Sequence, residues 1–177
     1  MKDTRVTLPG FPLPLGVKLD KNGAHFSIFS RHALSVSLVL FEPGNGKSEE
    51  LRLDPVRNRT GDIWHIWVEG IREGQAYGYR IDGAYEPSQG HRYNRNKLLL
   101  DPYARAVTGN FKWELSDARG FDPYSPLSDL SFSTKDSAPA APKSIVIDTQ
   151  FDWYDRQICN PLQNSIIYEL HVKGFTH

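Results

Sequence analysis

The segment Asp20-Lys-Asn-Gly-Ala-His-Phe-Ser-Ile-Phe29 decides the fold class, because it places a turn signal directly before a two-residue alternation. Its Asn-Gly pair is favoured in the type I′ turns of β-hairpins. Beyond that pair, Ala24, Phe26 and Ile28 occupy every second position. A period of two is typical of a strand with one buried face. The segment therefore predicts a hairpin turn followed by a half-buried β-strand.

The same pattern returns at regular intervals along the chain. Further strands are indicated over Ser35–Leu40, Leu51–Leu53, Ile63–Glu69 and Ala76–Asp82, and turn clusters such as Pro43–Gly46 separate them. Short strands at this spacing favour an antiparallel β-sandwich over a helical or doubly wound fold. No amphipathic helix of ordinary length is indicated. The sequence thus predicts an all-β protein.

Composition and charge argue against several classes of partner. The 177 residues carry 21 basic and 21 acidic side chains, which are interspersed and sum to zero net charge. This balance provides no net positive charge that would attract nucleic acid or an anionic membrane surface. No stretch is long and apolar enough to span a bilayer. Because the single cysteine, Cys159, cannot form an internal disulfide, we expect a cytoplasmic protein.

The chain changes character after about Thr108. Residues 109–142 are rich in proline, serine and aspartate and show no hydrophobic period. Proline removes strand donors, and short polar side chains offer little apolar area to bury. We therefore predict a β domain over 1–110, an irregular linker or interdomain segment over 111–160, and the start of another domain over 161–177.

The last of these parts carries a run typical of a buried parallel strand. Ile166-Ile167-Tyr168, followed by Leu170 and Val172, combines β-branched, aromatic and other apolar residues. Strands of parallel sheets read this way because both of their faces are covered. Such a strand needs neighbouring strands and a crossover helix. We therefore expect the chain to be the front part of a longer polypeptide.

Five segments carry a resemblance to a known family. They are Pro14–Gly16, Gly61–Gly70, Gly74–Pro87, Gly90–Ala106 with the block RYNRNKLLLDPYARA, and Tyr168–Thr176. Together they closely resemble the N-terminal region of isoamylase-type glycogen debranching enzymes. Those enzymes are members of glycoside hydrolase family 13 that carry a family-48 carbohydrate-binding module ahead of the catalytic barrel. The resemblance covers nearly the whole chain.

The resemblance implies a fold and an activity. The fold is an immunoglobulin-like (early-set) β-sandwich over 1–110, with the first strand of an incomplete (β/α)8 barrel at Ile166–Val172. The activity is hydrolysis of α-1,6-glucosidic branch linkages in glycogen or related α-glucans by the parent protein. The partners it implies are glycogen or branched α-glucan and the catalytic barrel of the same polypeptide.

No catalytic residue carries over to this chain. The family's catalytic Asp, Glu and Asp lie on later barrel strands than the first. A retaining glycosidase needs two carboxyl groups about 5 Å apart, and Glu169 is the only acidic residue in the barrel-like segment. We therefore expect the chain alone to have no hydrolase activity.

Two other functions stay open. One is a stand-alone glucan-binding or interaction module without catalysis. The other is the front domain of a related trehalose-forming or glucan-branching enzyme. A run such as Ile166–Tyr168 left exposed as a strand edge would favour aggregation, which favours the enzyme origin over the stand-alone module. The KLLLDPYARA text resembles the debranching subgroup more than the related enzymes.

Trp67 is the first candidate carbohydrate-binding residue. Side chains of a strand alternate between its faces, so Trp64, Ile66 and Val68 share one face and are expected in the core. Trp67 lies with His65 on the other face. An exposed indole ring suits stacking on a sugar, and packing between domains is the alternative for this residue.

Tyr85 is the second candidate, and it follows from the resemblance. Glycogen-binding modules of the family often carry an aromatic sugar platform at this place. Gly78, however, stands where modules competent in binding tend to have a lysine. Tyr77, Tyr79 and Ile81 line one strand face and are interpreted as core.

The sequence indicates no metal or cofactor site. The six histidines show no metal-ligand spacing. Gly44–Ser48 lacks the glycine spacing of a phosphate loop, and no helix pattern follows it. We therefore expect no cofactor.

Overall fold

The computed structural model describes residues 5–43, 47–109, 118–148 and 160–176. Strands dominate these residues, and the one α-helix among them is short. The elements are β1 (Thr7–Leu8), β2 (Gly16–Leu19), β3 (Gly23–Phe29), β4 (Ser35–Phe41), β5 (Ser48–Arg52), β6 (Arg59–Thr60), β7 (Ile63–Glu69), β8 (Ala76–Asp82), β9 (Tyr85–Glu86), β10 (His91–Arg92), β11 (Ser144–Ile145) and α1 (Val172–Thr176). Short 3-10 turns cover Pro87–Gln89, Ser128–Leu130 and Leu162–Asn164.

Two antiparallel sheets form the sandwich. Sheet A has the order β1-β7-β3-β2, with β6 also paired to β7, and sheet B has the order β11-β8-β4-β5. A separate small hairpin joins β9 to β10. The prediction of an all-β antiparallel sandwich is confirmed. The turn at Asp20 also forms, because its Oδ1 accepts hydrogen bonds from the Asn22 and Gly23 backbone N–H groups at 2.9 Å each.

The core lies between the sheets and is built from alternate residues of their long strands. Phe26 of β3 and Trp64 of β7 face Leu38 of β4 and Tyr77 of β8, and all four are fully buried. The Phe26 and Tyr77 rings meet edge to face across the two sheets, with centroids 5.1 Å apart. Burying a large apolar side chain contributes about 1.5–3 kcal/mol, so this layer stabilises the pairing of the sheets. The core positions predicted on β7 and β8 are confirmed by the burial of Trp64, Ile66, Val68, Tyr77, Tyr79 and Ile81.

The polar stretch after the sandwich docks on sheet B instead of running free. Within it, Ser131, Ser133 and Ser137 are buried. The Lys97 ammonium donates to Ser133 Oγ at 3.0 Å, and the Leu98 backbone N–H donates to Ser137 Oγ at 2.8 Å. Composition misses this docking because hydrogen bonds, not apolar area, attach the stretch. The boundaries at 110 and 160 stay predictions, and residues 110–117 and 149–159 lie outside the described residues.

The segment predicted as a buried barrel strand is not a strand in this structure. Ile166 and Ile167 are exposed, and Val172–Thr176 form α1. A parallel strand needs hydrogen-bonded neighbours, and none of the described residues pairs with this segment. The prediction of a barrel strand is therefore not confirmed. Within the described parts of the chain, no helix has the length and apolar character needed to cross a membrane.

Candidate functional site

Trp67 lies half-buried on the outer face of sheet A, where a carboxylate fixes its ring. Its indole Nε1 donates to Asp20 Oδ2 at 2.7 Å. Burial raises the pKa of Asp20, but the hydrogen bonds from the Asn22 backbone, the Trp67 indole and the Gly23 backbone outweigh it and leave the pKa below its usual value. The carboxylate is thus ionised at neutral pH and held by the β2–β3 turn. Because Asp20 is anchored, the orientation of the Trp67 ring is also set.

Trp67 belongs to a row of side chains that crosses sheet A from strand to strand. Leu8 of β1 is in register with Trp67, Trp67 with His25 of β3, and His25 with Lys18 of β2. Residues paired in this way point to the same face of a sheet. The row therefore combines apolar, aromatic and charged side chains on one surface.

Residues 9–12, here called the N-terminal strap, cross the outer face of sheet A beside this row. The Pro9 carbonyl lies 2.8 Å from His65 Nδ1, and the Pro12 carbonyl accepts from Ser27 Oγ at 2.6 Å. Between these anchors, Gly10 passes so close to β7 that a Cβ there would lie 2.9 Å from the Trp67 backbone nitrogen. Its φ of +77° also favours glycine. The strap is therefore fitted to the sheet.

The strap places Phe11 on the row. The Phe11 ring stacks on the His25 ring at a centroid distance of 5.0 Å and an interplanar angle of 28°. Phe11 nonetheless stays 66% exposed. Burial lowers the pKa of His25 in spite of nearby Asp20, so the ring is neutral at pH 7. Sequence reasoning missed Phe11 because the proline-rich strap has no hydrophobic period.

The strap also explains why His65 does not share the exposure of Trp67. Both side chains leave the same face of β7, as predicted, yet His65 is buried. Its Nδ1 faces the Pro9 carbonyl, and its Nε2 lies 2.9 Å from Thr60 Oγ1. His65 is therefore an anchor for the strap and is not accessible to a ligand.

Tyr85 lies on β9, beyond the end of β8 in sheet B, and is not brought together with Trp67. Its hydroxyl donates to the Ser131 carbonyl, and its ring meets Phe132 edge to face at a centroid distance of 4.8 Å. The side chain is half-buried, while Phe132 is more exposed. The two residues predicted from sequence therefore belong to separate surfaces of the sandwich.

The outer face of sheet B has no room for a side chain at Gly78. A Cβ at Gly78 would lie 2.9 Å from Leu98 Cδ1 and 3.0 Å from the Leu99 carbonyl oxygen. Nearby, Arg80 pairs with Asp136 at 2.7 Å and also donates to the Arg95 carbonyl. The chain itself thus occupies this face, and Gly78 is required by packing.

Among the described residues, Asp101 carries the most deeply buried carboxyl group. Asp101 accepts the Tyr77 hydroxyl at 2.8 Å and the Tyr103 backbone N–H at 2.8 Å, and its own N–H donates to Ser144 Oγ. Burial raises the pKa of Asp101, although these two hydrogen bonds to its carboxylate oppose the shift. It joins sheet B to the segment that follows and has a structural role. Glu169, by contrast, is exposed.

The described surface of sheet A combines aromatic rings with charged side chains. Among residues 5–43, 47–109, 118–148 and 160–176, no three His, Cys, Asp or Glu side chains are grouped so as to hold a metal ion. What the described surface offers is a pair of partly exposed rings, Trp67 and Phe11, with charged groups beside them. Flat apolar rings with polar neighbours are the usual chemistry of a surface that recognises sugars.

Relatives of the chain are found among glycogen debranching enzymes. It is 44% identical over 168 residues to the glycogen debranching enzyme of Yersinia enterocolitica, covering 94% of this chain and 24% of that protein. With the enzyme of Serratia proteamaculans it is 44% identical over 169 residues, covering 95% and 24%. The chain thus spans about a quarter of the length of these curated relatives.

Solved structures share the fold. The pullulanase from Anoxybacillus sp. complexed with maltotriose aligns with a TM-score of 0.54 at 18% identity, covering 92% of this chain and 18% of that one. The GBS pullulanase SAP in complex with maltotetraose aligns with a TM-score of 0.51 at 16% identity, covering 78% and 15%. At these identities the likeness concerns the fold alone.

A family match identifies the domain. Residues 14–104 match carbohydrate-binding module 48, the isoamylase N-terminal domain, and this is just over half of the 177 residues. The matched range begins after the strap and includes β2 to β10. The chain therefore belongs to the carbohydrate-binding module 48 family.

Proposed function

We propose that this chain is the non-catalytic N-terminal module of an enzyme that hydrolyses α-1,6-glucosidic branch linkages in glycogen or related α-glucans. The observation that carries the proposal is the 44% identity, over 94% of the chain, with a protein named glycogen debranching enzyme. The module positions the catalytic (β/α)8 barrel of the same polypeptide and contacts branched glucan.

The chemistry of the described residues supports a non-catalytic role. Retaining glycosidases need an ionised and a protonated carboxyl group about 5 Å apart across one sugar. Asp101 is sealed inside and bonded to Tyr77, whereas Glu169 is an exposed carboxylate in the last segment. Hydrolysis therefore falls to the later strands of the barrel.

Trp67 and Tyr85 are the glucan contacts in this proposal. Trp67 offers a ring oriented by Asp20 on an open face. Tyr85 offers a half-buried ring whose hydroxyl is engaged with Ser131, so only ring stacking is left for a sugar. Because aromatic rings present a negative face, they attract the polarised C–H groups of a pyranose. The two contacts belong to different surfaces and act independently.

A stand-alone glucan-binding module is the second candidate. The observation in its favour is that the sandwich core is complete in the described residues, with Phe26, Leu38, Trp64 and Tyr77 fully buried. A core that is complete within the domain lets it fold, and present its surface to glucan, without help from a barrel. Such a stand-alone module would not be part of a hydrolytic enzyme.

We further propose a cytoplasmic location. One cysteine in 177 residues is the usage typical of a reducing compartment. Fractionation of cells that produce the protein tests this location, and recovery in a secreted or periplasmic fraction would contradict it.

The proposed activity is tested with two proteins, the 177-residue chain and the product of the complete reading frame. The complete product should release reducing ends from glycogen and from its phosphorylase limit dextrin. The short chain should release none, yet should be retarded by glycogen in a native gel. Hydrolysis by the short chain would contradict the non-catalytic role. Retardation of the short chain without hydrolysis by the complete product would favour the stand-alone module.

A further inference from the structure

We infer that the outer face of sheet A carries a two-ring glucan platform made of Trp67 and Phe11, which is separate from the surface at Tyr85. This inference rests on the proposed function of glucan binding. It adds a second stacking ring, Phe11, and assigns to the N-terminal strap the task of holding that ring in place.

The first step is that Phe11 is held rigidly although it is exposed. The strap is bonded on both sides of it, through Pro9 to His65 and through Pro12 to Ser27. Gly10 rests directly on the β7 backbone. Because Pro9, Gly10 and Pro12 hold the strap on both sides of Phe11, the backbone that carries the ring is fixed on the outer face of the sheet.

Both rings are placed next to His25. Phe11 stacks on His25, and His25 is paired in register with Trp67 on the adjacent strand. Adjacent strands are about 4.8 Å apart. The Trp67 ring in turn reaches over Gly23, where a Cβ would lie 3.0 Å from Trp67 Cζ2. The same Cβ would lie still closer to the Val68 carbonyl oxygen, so the β7 backbone already requires glycine here and the indole ring packs over the position that it leaves free.

Both rings are ordered before a ligand binds. Ordering a flexible side chain on binding costs about 0.5–1.5 kcal/mol. Trp67 is already ordered by its hydrogen bond to Asp20, and Phe11 by its stacking on His25 and by the strap. Rings fixed in water before a ligand arrives bind without that ordering cost. This favours a ligand-binding role over incidental exposure.

The charged groups beside the rings indicate the class of ligand. The row that holds the rings includes the ammonium of Lys18, and the Asp20 carboxylate lies at its rim. One donor and one acceptor of opposite charge beside two apolar rings match a neutral polyhydroxylated chain. Hydroxyl groups reach the charged groups while the sugar C–H faces cover the rings. A linear α-glucan segment, with two successive glucose units on the two rings, fits this chemistry.

The experiment measures binding of glycogen by affinity electrophoresis and of maltoheptaose by calorimetry, with the 177-residue chain. Phe11→Ala and Trp67→Ala should each weaken binding about three- to tenfold, the range that corresponds to one aromatic contact. Phe11→Leu keeps apolar bulk without a ring and should weaken binding as Phe11→Ala does. Tyr124→Ala removes another exposed ring, at 89% exposure, and should change nothing.

A spectroscopic readout keeps the test independent of stability. The Trp67 indole N–H resonance should shift when maltoheptaose is added to the unaltered chain. In Phe11→Leu, which preserves the strap, that shift should need a higher maltoheptaose concentration. Equal thermal midpoints of the variants and the unaltered chain verify that folding is not the cause.

The outcomes separate this inference from the proposed function. If Tyr85→Ala abolishes binding while the Phe11 and Trp67 variants bind normally, the platform is refuted and glucan binding stands. If Trp67→Ala weakens binding and Phe11→Leu does not, the second ring is refuted. If the unaltered chain does not bind, both ideas fail. If the outer face of sheet A instead packs against another part of the polypeptide, the variants bind glycogen normally. The same substitutions then destabilise the complete protein more than they destabilise the 177-residue chain.

Discussion

The outer faces of the two sheets differ in what covers them. Among the residues that the structure describes, the narrow strap of residues 9–12 crosses sheet A, and Trp67 and Phe11 stay accessible beside it. On sheet B, Leu99 bridges to Tyr79 of β8 and Leu98 leaves no space for a Cβ at Gly78, while residues 131–137 are attached to this segment through Lys97. One sandwich can thus keep accessible rings on one side and attach a further segment of the chain on the other.

On each outer face, a glycine allows another segment of the chain to lie close to a strand. Gly10 lets the strap lie on β7, whereas Gly78 lets Leu98 lie on β8. A backbone or side chain this close to a strand excludes every residue that has a Cβ. The neighbouring residues determine how each segment is attached to its sheet. Pro9 and Pro12 bond the strap to sheet A, while Lys97 and Asn94 attach a second segment beside sheet B.

Gly10→Ala should produce the largest loss of stability. The added Cβ meets the β7 backbone at 2.9 Å and forces alanine to φ +77°. Overpacking and left-handed strain together should lower the free energy of unfolding by about 2–5 kcal/mol. Urea denaturation followed by circular dichroism measures it. Gly61→Ala is the control, because its φ is +59° but a Cβ would meet no described atom within 4 Å. Equal losses in both variants would show that the strap is not packed on β7.

Gly78→Ala tests the covered face in the same way. Its Cβ would meet Leu98 Cδ1 at 2.9 Å and the Leu99 carbonyl oxygen at 3.0 Å. The backbone oxygen cannot move as freely as a side chain, so we expect a loss of about 1–3 kcal/mol in urea denaturation. Gly120→Ala, where a Cβ would contact none of the described atoms, should be nearly neutral. A neutral Gly78→Ala would mean that residues 94–101 are loosely placed.

Lys97→Met should loosen the cover of sheet B. Methionine keeps an unbranched apolar stem but removes the donors to Ser133 Oγ at 3.0 Å and to the Lys135 carbonyl at 2.8 Å. Unpaired buried acceptors cost about 1–3 kcal/mol, part of which water regains if the segment detaches. Amide hydrogen exchange should rise in residues 131–137 and stay unchanged in the strap. The exposed Lys21→Met should leave exchange in both regions as it is, and a uniform rise with Lys97→Met would contradict a local effect.

His25→Gln should give the smallest effect, seen only as a change in pH dependence. Burial lowers the pKa of His25 below 6.5 in the folded state, against the opposing influence of Asp20 and with that of Lys18. The unfolded chain therefore binds the proton first as pH falls below about 6.5. The stability that the neutral ring contributes is present above that pH and is lost as pH falls toward the folded pKa.

Thermal midpoints measured between pH 7.5 and 5 test this dependence. The unaltered chain should lose stability across the interval, and His25→Gln should flatten the part of the slope due to this residue. His32→Gln, an exposed histidine outside the strap, should keep the slope of the unaltered chain. A slope that is the same in all three proteins would show that His25 is not shielded by Phe11.

Much of the fold could be predicted because the strands have one buried face. The period of two placed Trp64, Ile66 and Val68 in the core and Trp67 outside, and the structure has them so. It could not predict the burial of His65, because the cover comes from Pro9, which is distant in sequence. Tyr85 was chosen by resemblance, and nothing local to it indicated that its hydroxyl would be engaged with Ser131.

The amino-acid sequence by itself determined the sandwich, its strand faces and the family, since alternation and motif are local properties of the chain. Only the tertiary structure decided which outer face is open. That outcome depends on contacts between distant segments, such as Gly10 with Trp67 and Lys97 with Ser133. Each is made by glycine or by a hydrogen-bonding side chain, and so leaves no hydrophobic pattern. Phe11 was likewise identified only from the tertiary structure, in which the strap places its ring on His25.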